Sequence, residues 1–163
     1  MRTQLAMGVW ALLYLSGLPA AVAAQAEPQR GAVVAHWDPA TLDSLAAGLA
    51  SGDTIAAELS PRVEFVHLLL RRTTAGEAEL HDSEVDLVQV RSGRARLTTG
   101  GGLEGQQREA GRGEWRAASI RGGATRVVGP GDILVIPART PHLWEPIGEE
   151  PFLYVIIKVP ARR

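Results

Sequence analysis

The chain of 163 residues contains no cysteine, so disulfide bonds are excluded and the packed core has to hold the fold. The lack of thiolates also limits any metal site to nitrogen and oxygen ligands. Aromatic residues make up only 5% of the sequence, whereas glycine occurs 18 times. This composition is typical of a turn-rich β protein and argues against a helical bundle.

An excess of positive charge is lacking as well. The sequence sets 17 lysine and arginine residues against 18 aspartate and glutamate residues, for a formal net charge of −1. No basic stripe offsets this balance, which argues against a nucleic acid partner. The length suits one domain with a real core better than two domains.

Residues 1–24 differ from the rest of the chain. They comprise one arginine, an apolar stretch from about Leu5 to Leu18, and A-x-A sites at Ala21-Val22-Ala23 and Ala24-Gln25-Ala26. This pattern predicts a secretory signal peptide at residues 1–24 and a secreted or periplasmic protein. An uncleaved membrane anchor is the alternative, but the apolar stretch is short for a span. Cleavage would remove one arginine, change the formal charge from −1 to −2, and leave no stable membrane span.

Residues 25–60 are predicted to form a leader with one short amphipathic helix. Asp38 is suited to cap this helix, Pro39 to occupy its first turn, and Gly52 to end it. Its apolar stripe consists of Leu42, Leu45, Ala46 and Leu49. We interpret the stripe as a packing surface.

Short apolar segments separated by turn signals dominate the remainder of the chain. We predict strands at residues 62–72, 77–81, 86–91, 94–99, 114–120, 124–128, 133–137 and 151–159. The segment 133–137 is expected to be buried, Ser92-Gly93 to form a hairpin turn, and residues 100–113 to form a polar loop. Many short strands without βαβ alternation predict an all-β sandwich or barrel over residues 61–163.

Two of these strands carry ionisable side chains toward the predicted interior. Side chains alternate along a strand, so Glu79 and His81 share one face, with Cα atoms about 6.6 Å apart, and can converge on one ion. In the next strand Asp86 begins an apolar row that we interpret as the interior face. The row continues with Val88, Val90, Ala95 and Leu97. A buried carboxylate is unfavourable without a partner, and His81 is a natural one.

A third candidate, His142, follows the predicted strand 133–137 and two prolines, whose rigid turn aims a side chain well. The segments around His81 and His142 resemble the paired motifs of the cupin superfamily, small β-barrels of the jelly-roll type. The first cupin motif is His-x-His, three or four residues, Glu, six residues and Gly. The second is Gly, five residues, Pro-x-Gly, two residues, His, three residues and Asn.

The matching residues keep this spacing across residues 76–159. They are Glu79-Leu80-His81, Asp86 and Gly93 for the first motif, and Gly131, Pro137-Ala138-Arg139, His142 and Pro146 for the second. The resemblance therefore implies a cupin-type jelly-roll β-barrel with a short N-terminal helix. A typical metal-binding cupin uses three histidines and a glutamate, so Glu79 and Asp86 are departures in the ligand set. Arg139 and Pro146 depart from the glycine and asparagine of the second motif.

The retained residues imply a divalent metal, iron, manganese, zinc or nickel, held by His81, Asp86 and His142. Glu79 is expected to serve as a fourth ligand or as a catalytic general base. The alternative is a degenerate site in which His81 and Asp86 form a hydrogen-bonded pair and His142 lines a pocket without metal.

Two classes of function follow from these alternatives. The buried carboxylate favours a small metal-dependent enzyme, an oxygenase or isomerase acting on a small organic molecule. The missing first histidine favours a non-catalytic binding or sensory module that holds a small molecule in the barrel. The resemblance also implies a homodimer formed by sheet extension, with the strand near residues 62–72 contributing.

Other side chains have two interpretations each. His67 is either satisfied in the core or part of a pocket wall, and Trp144 and Tyr154 either pack or line the mouth of a ligand site. A group of arginines either attracts an acidic ligand or lies on solvated strand faces. This group consists of Arg112, Arg116, Arg121 and Arg126.

Overall fold

The structure is a computed structural model that describes residues 34–49, 54–59 and 65–162. The predicted signal peptide at residues 1–24 lies outside these ranges and stays a prediction. Contacts divide the chain between Val34 and Ala35, and every described residue except Val34 belongs to the unit from Ala35 onward. In the described part of the chain, no helix has the length and apolar character needed to cross a membrane.

The described residues of this unit form one helix and thirteen strands. The helix α1 spans Pro39–Gly48. The strands are β1 (Thr54–Glu58), β2 (Val66–Arg72), β3 (Ala78–His81), β4 (Glu84–Ser92), β5 (Arg94–Thr99), β6 (Gly102–Glu104), β7 (Arg108–Gly111), β8 (Glu114–Ala117), β9 (Ser119–Arg121), β10 (Ala124–Val128), β11 (Ile133–Ile136), β12 (His142–Ile147) and β13 (Phe152–Pro160). The predicted all-β class with one short helix is confirmed.

Two antiparallel sheets face each other and enclose the core. One sheet has the order β1-β2-β13-β4-β11, and the other has the order β10-β5-β12-β3-β8-β7, while β6 and β9 pair separately. Strands that are neighbours in space are mostly distant in sequence, as in a jelly roll. Two strands that are consecutive in the chain, β4 and β5, lie in different sheets.

The core lies between the inner faces of the two sheets. The apolar row predicted from strand alternation is buried there, with Val88, Val90, Ala95 and Leu97 each at most 2% exposed. An aromatic cluster fills the next layer, in which Trp144 stacks on Tyr154 with ring centroids 5.4 Å apart and Phe152 lies 4.9 Å from Tyr154. Trp144 and Tyr154 therefore belong to this packing, and both also line a cavity of about 660 Å³, so the two interpretations of these residues do not exclude each other.

The helix α1 covers part of the outer face of the five-stranded sheet. Asp38 caps it as predicted, because its carboxylate accepts a hydrogen bond of 2.7 Å from the Thr41 amide. A second apolar cluster holds the helix to the sheet and includes Leu42, Leu59, Leu69 and Leu153. The helix ends at Gly48 and not near Gly52, which lies outside the described residues.

The turn at Ser92-Gly93 is confirmed, but the hairpin predicted there is wrong. Gly93 has φ 68° and lies against the backbone of Pro151. A Cβ at this position would come within 2.4 Å of the Pro151 carbonyl oxygen. The chain uses this sharp turn to pass from one sheet to the other, so β4 pairs with β13 and β11 while β5 pairs with β10 and β12.

Four other expectations about strands are wrong. The predicted loop at 100–113 contains β6 and β7, and the predicted strand at 114–120 divides into β8 and β9, which pair in different sheets. Residues 142–147, for which no strand was predicted, form the strand β12. The strand β11 is buried on one face only, since Ile136 is 4% exposed on its inner side, whereas Ile133 is 75% and Val135 61% exposed on its outer face.

The strand expected to extend the sheet of a homodimer is an interior strand. The backbone of β2 pairs with β1 on one side and with β13 on the other. Its hydrogen-bonding groups are therefore used within the chain and cannot add a strand from a second copy. The homodimer itself stays a prediction.

Candidate metal centre

The predicted site residues meet in the barrel interior, and both sheets supply them. Glu79 and His81 lie on β3, and His142 begins β12 directly opposite Glu79. Asp86 reaches the same place from β4 in the other sheet. All four side chains are buried, with exposed fractions from 1% for Asp86 and His142 to 8% for Glu79. The shared face of Glu79 and His81 follows from the alternation along β3.

Two imidazole nitrogens face two carboxylate oxygens at this centre. His81 Nε2 lies 3.3 Å from Asp86 Oδ2 and 3.8 Å from Glu79 Oε2. His142 Nε2 lies 3.5 Å from Asp86 Oδ2 and 3.7 Å from Glu79 Oε2. Ligand atoms that share one ion at about 2.1 Å stand roughly 3 to 3.5 Å apart, so these separations are close to those of a ligand shell. Glu79, His81 and His142 each offer an atom within 4.8 Å of the others.

The hydrogen bonding of the centre suits a cation. His142 Nδ1 lies 3.1 Å from the Thr140 carbonyl oxygen, which can only accept, so a neutral His142 ring carries its proton on Nδ1 and presents the lone pair of Nε2 to the centre. Among the described residues, His142 Nε2 and Asp86 Oδ2 are buried without a hydrogen-bond partner. Buried polar atoms of this kind are unfavourable unless something satisfies them, and a divalent ion would satisfy both.

The turn before His142 is fixed by backbone geometry. Arg139, which replaces the motif glycine, has φ 62°, a left-handed conformation that costs a residue with a Cβ roughly 1–2 kcal/mol. Its amide donates a 2.7 Å hydrogen bond to the His81 carbonyl oxygen. The second motif is thereby attached to β3, and this contact helps to place His142 beside His81.

The two carboxylate oxygens of Glu79 have different partners. Oε1 accepts from Arg72 at 3.1 Å and also contacts Arg116, while Oε2 faces the two imidazoles. Burial would raise the pKa of Glu79, but His142 and the cations Arg116 and Arg72 outweigh burial and lower it well below its usual range. Glu79 is thus held as an anchored anion.

Glu79 should make the stability of the metal-free protein depend on pH in acid. Because its pKa is lowered from 4.5 in the folded state, its contribution is complete above pH 4.5 and is lost progressively as the pH falls below that value. In EDTA, we expect the urea midpoint to fall with pH below 4.5 and Glu79→Gln to flatten this dependence. Glu149→Gln, at an exposed position, is the control and should retain the dependence of the unmodified protein. Equal slopes for all three proteins would contradict the assignment.

The structure adds three charged residues that sequence reasoning did not place at the centre. Lys158 Nζ lies 2.6 Å from His81 Nε2 and 3.0 Å from Asp86 Oδ1. Arg72 donates to Glu79 and, through Nε, to the Tyr154 hydroxyl at 2.9 Å. Arg116 was considered only as one of a group of arginines. The alternation of β13 was the available signal for Lys158, because it shares the inner face with Tyr154 and Ile156.

These charges change the acid–base properties of their neighbours. Burial would raise the pKa of Asp86, but the positive charge that faces it, above all the Lys158 ammonium 3.0 Å from Oδ1, outweighs burial and lowers that pKa. Burial raises the pKa of Tyr154 to about 12, so its hydroxyl stays neutral as the acceptor for Arg72. Both carboxylates of the centre are therefore ionised at neutral pH.

A cavity of about 660 Å³ adjoins the centre. Glu79, Arg116 and Lys158 line it on the side of the centre, and apolar side chains such as Leu68 and Ile156 line it elsewhere. Its mixed lining and its volume are suited to a small organic molecule.

The remaining candidates do not converge on the centre. His67 lies half-buried on the outer side of β2, with its ring 6.4 Å from that of Phe65, and burial lowers its pKa. The four arginines do not form one cluster. Arg112 lines the cavity with Arg116, while Arg121 and Arg126 are exposed on β9 and β10.

Comparison with known proteins supports the fold alone. No family model matches the chain, and no curated protein matches it in sequence. A similar solved structure is hydroquinone 1,2-dioxygenase PnpCD in complex with Cd²⁺ and 4-hydroxybenzonitrile, with TM-score 0.54, 14% identity, and coverage of 72% of this chain and 70% of that one. Another is a conserved protein with a double-stranded β-helix domain from Klebsiella pneumoniae, with TM-score 0.50, 18% identity, and coverage of 69% and 77%.

A third structure, the cupin domain of Cnp3 from Schizosaccharomyces pombe, has TM-score 0.49, 10% identity, and coverage of 68% of this chain and 66% of that one. Across the similar structures, the aligned part of this chain spans between 58% and 85% of the length of the other protein. The chain has a double-stranded β-helix fold, which agrees with the jelly-roll barrel that the spacing of the paired motifs predicted. At these identities the likeness concerns architecture and not the reaction.

Proposed function

We propose that this barrel binds one divalent metal ion through His81, His142 and Asp86, with Glu79 as a fourth ligand, and holds a small organic molecule in the adjacent cavity. The observation that carries the proposal is the pair of buried atoms His142 Nε2 and Asp86 Oδ2. They lie 3.5 Å apart and have no hydrogen-bond partner among the described residues. Nitrogen and oxygen ligands of this kind suit iron, manganese, zinc or nickel.

The surrounding residues orient this ligand set. Thr140 fixes the His142 tautomer, so that the lone pair of Nε2 points into the centre. Arg72 and Arg116 hold Glu79 ionised and in place, which favours the role of ligand over that of general base. When bound, the metal would supply Lewis acidity or activate a water molecule.

For the catalytic form of this proposal, we propose oxygenase or isomerase chemistry on the molecule held in the cavity. Glu79 lines both the cavity and the centre, so a bound molecule would lie next to the ligand set. The apolar part of the lining would exclude water from one side of that molecule, and the charged part would orient its polar groups.

A second candidate function is a metal-free module that binds a small molecule without converting it. The contact between Lys158 Nζ and His81 Nε2 favours this candidate, since it uses the lone pair that a metal would need. In this form Lys158, His81 and Asp86 are a hydrogen-bonded cluster in the barrel wall.

The metal content of the native protein distinguishes the two candidates. We expect elemental analysis after mild purification to find about one divalent ion per chain. An ion that binds only the folded state, and is present at a concentration of one hundred times its Kd, stabilises the folded protein by about 2.7 kcal/mol. Adding manganese, iron, nickel or zinc to EDTA-treated protein should therefore raise its Tm by several degrees. Absence of metal together with an unchanged Tm for all four ions would rule out the metal site and leave the second candidate.

A further inference from the structure

A positively charged side chain already lies beside the proposed ligands. The sequence has 17 lysine and arginine residues, and Lys158 is the only lysine among them. Its side chain is 13% exposed and lies on the inner face of β13, where the strand register sets it directly opposite Asp86 on β4. The single side-chain ammonium group of the chain thus lies in contact with two of the proposed ligands, His81 and Asp86.

The contacts of this ammonium overlap with those of a metal. Lys158 Nζ donates to His81 Nε2 at 2.6 Å and to Asp86 Oδ1 at 3.0 Å. A neutral imidazole nitrogen has one lone pair, so His81 Nε2 cannot accept from Lys158 and ligate a metal at the same time. The ammonium would also repel a divalent ion placed beside it.

We propose that Lys158 is the resident cation of the metal-free barrel and that a divalent ion binds only by displacing it. This inference rests on the proposed metal site. Lys158 then sets the metal affinity, because every ion that enters must break the contacts of the ammonium with His81 and Asp86. Weakly binding ions are rejected, and only ions with a strong preference for imidazole and carboxylate remain bound.

The structure provides a destination for the displaced side chain. Lys158 lines the 660 Å³ cavity together with Glu84. Glu84 precedes Asp86 by two residues on β4, so both carboxylates lie on the same face of the strand. The flexible lysine can exchange one carboxylate for the other without entering the apolar core, and metal binding would bring its ammonium further into the cavity.

The first test measures the metal affinity of Lys158→Met, which keeps the length of the side chain and removes its charge. Zn²⁺ and Mn²⁺ would be titrated into EDTA-treated protein in competition with a chromophoric chelator. We expect the variant to bind roughly ten-fold or more tightly than the unmodified protein, within the range typical of coupled binding. Arg112→Met is the matched control, because it removes a positive charge from the same cavity at a residue that is exposed. It should change the affinity by much less.

The outcomes separate this inference from the proposed function. Equal or weaker binding by Lys158→Met, with clear binding by the unmodified protein, would overturn the displacement of Lys158 and leave the metal site in place. Tighter binding by both variants to the same extent would reduce the effect to general charge and would also overturn it. If neither the unmodified protein nor Lys158→Met binds metal, the proposed site and the inference are both wrong.

A second test needs no substitution. Lys158 carries the only side-chain amine of the chain, so an amine-modifying reagent such as acetic anhydride can report on it, and peptide mass spectrometry separates it from the terminal amine. We expect the rate of Lys158 modification to rise several-fold when zinc is bound, because the displaced ammonium enters the cavity. An unchanged or slower rate in protein shown by elemental analysis to hold zinc would overturn the inference.

Discussion

His142→Ala is expected to weaken divalent metal binding by at least about 100-fold, since loss of an outer-shell partner alone costs 10–100-fold. His142 is 1% exposed, and its Nε2 faces both carboxylates of the centre. Alanine removes this nitrogen and leaves three ligands, of which His81 is already engaged by Lys158. We expect the purified variant to contain no metal, and added zinc should no longer raise its Tm.

The control for this substitution is His36→Ala, because His36 is exposed before the helix α1. Zinc affinity by chelator competition and metal content should both match those of the unmodified protein. Near-ultraviolet circular dichroism of the two variants would verify that each remains folded. Metal binding by a folded His142→Ala variant with an affinity close to that of the unmodified protein would show that the ligand set is wrong.

Phe152→Ala is expected to have the largest effect on stability, lowering the free energy of unfolding by about 3–5 kcal/mol. Phe152 is 0% exposed and contacts Trp144 and Tyr154 with ring centroids 5.5 Å and 4.9 Å away. Removal of the ring leaves a cavity between the sheets that neighbouring strands can only partly fill. The free energy of unfolding falls because buried apolar area and ring contacts are lost, and the cavity lowers it further.

The chain has two phenylalanines, and the other one is a matched control. Phe65 is 39% exposed just before β2, so Phe65→Ala should cost about 1 kcal/mol or less. Urea unfolding in EDTA, followed by tryptophan fluorescence, measures both variants without a contribution from metal. Similar losses for the two variants would mean that the aromatic cluster is not the centre of the core.

Several features of the fold could be predicted because they depend on neighbours in sequence. The two-residue alternation along β4 and β5 identified the inner face, and all four apolar residues predicted for it are buried. The same alternation placed Glu79 and His81 on one side of β3. The N-cap at Asp38 also needs only the adjacent residues, since its carboxylate bonds to the amide of Thr41.

Other features could not be predicted because strand pairing overrides local signals. No strand was predicted at residues 142–147, yet β12 forms there between β3 and β5, whose pairing supplies most of its hydrogen bonds. The run 133–137 is apolar enough for a buried strand, but β11 is at the edge of its sheet and nothing described covers its outer face. Apolar character alone does not tell a buried strand from an exposed edge.

The sequence by itself determined which side chains face the interior of this barrel, because that choice follows from a period of two residues along each strand. Only the tertiary structure decided which of those side chains meet. Lys158 stands opposite Asp86, and Arg72 and Arg116 reach Glu79 from different sheets, because the register between distant strands depends on the closure of the whole barrel. The ligand candidates were therefore visible in the sequence, whereas alternation could place Lys158 on an inner face but could not place it beside them.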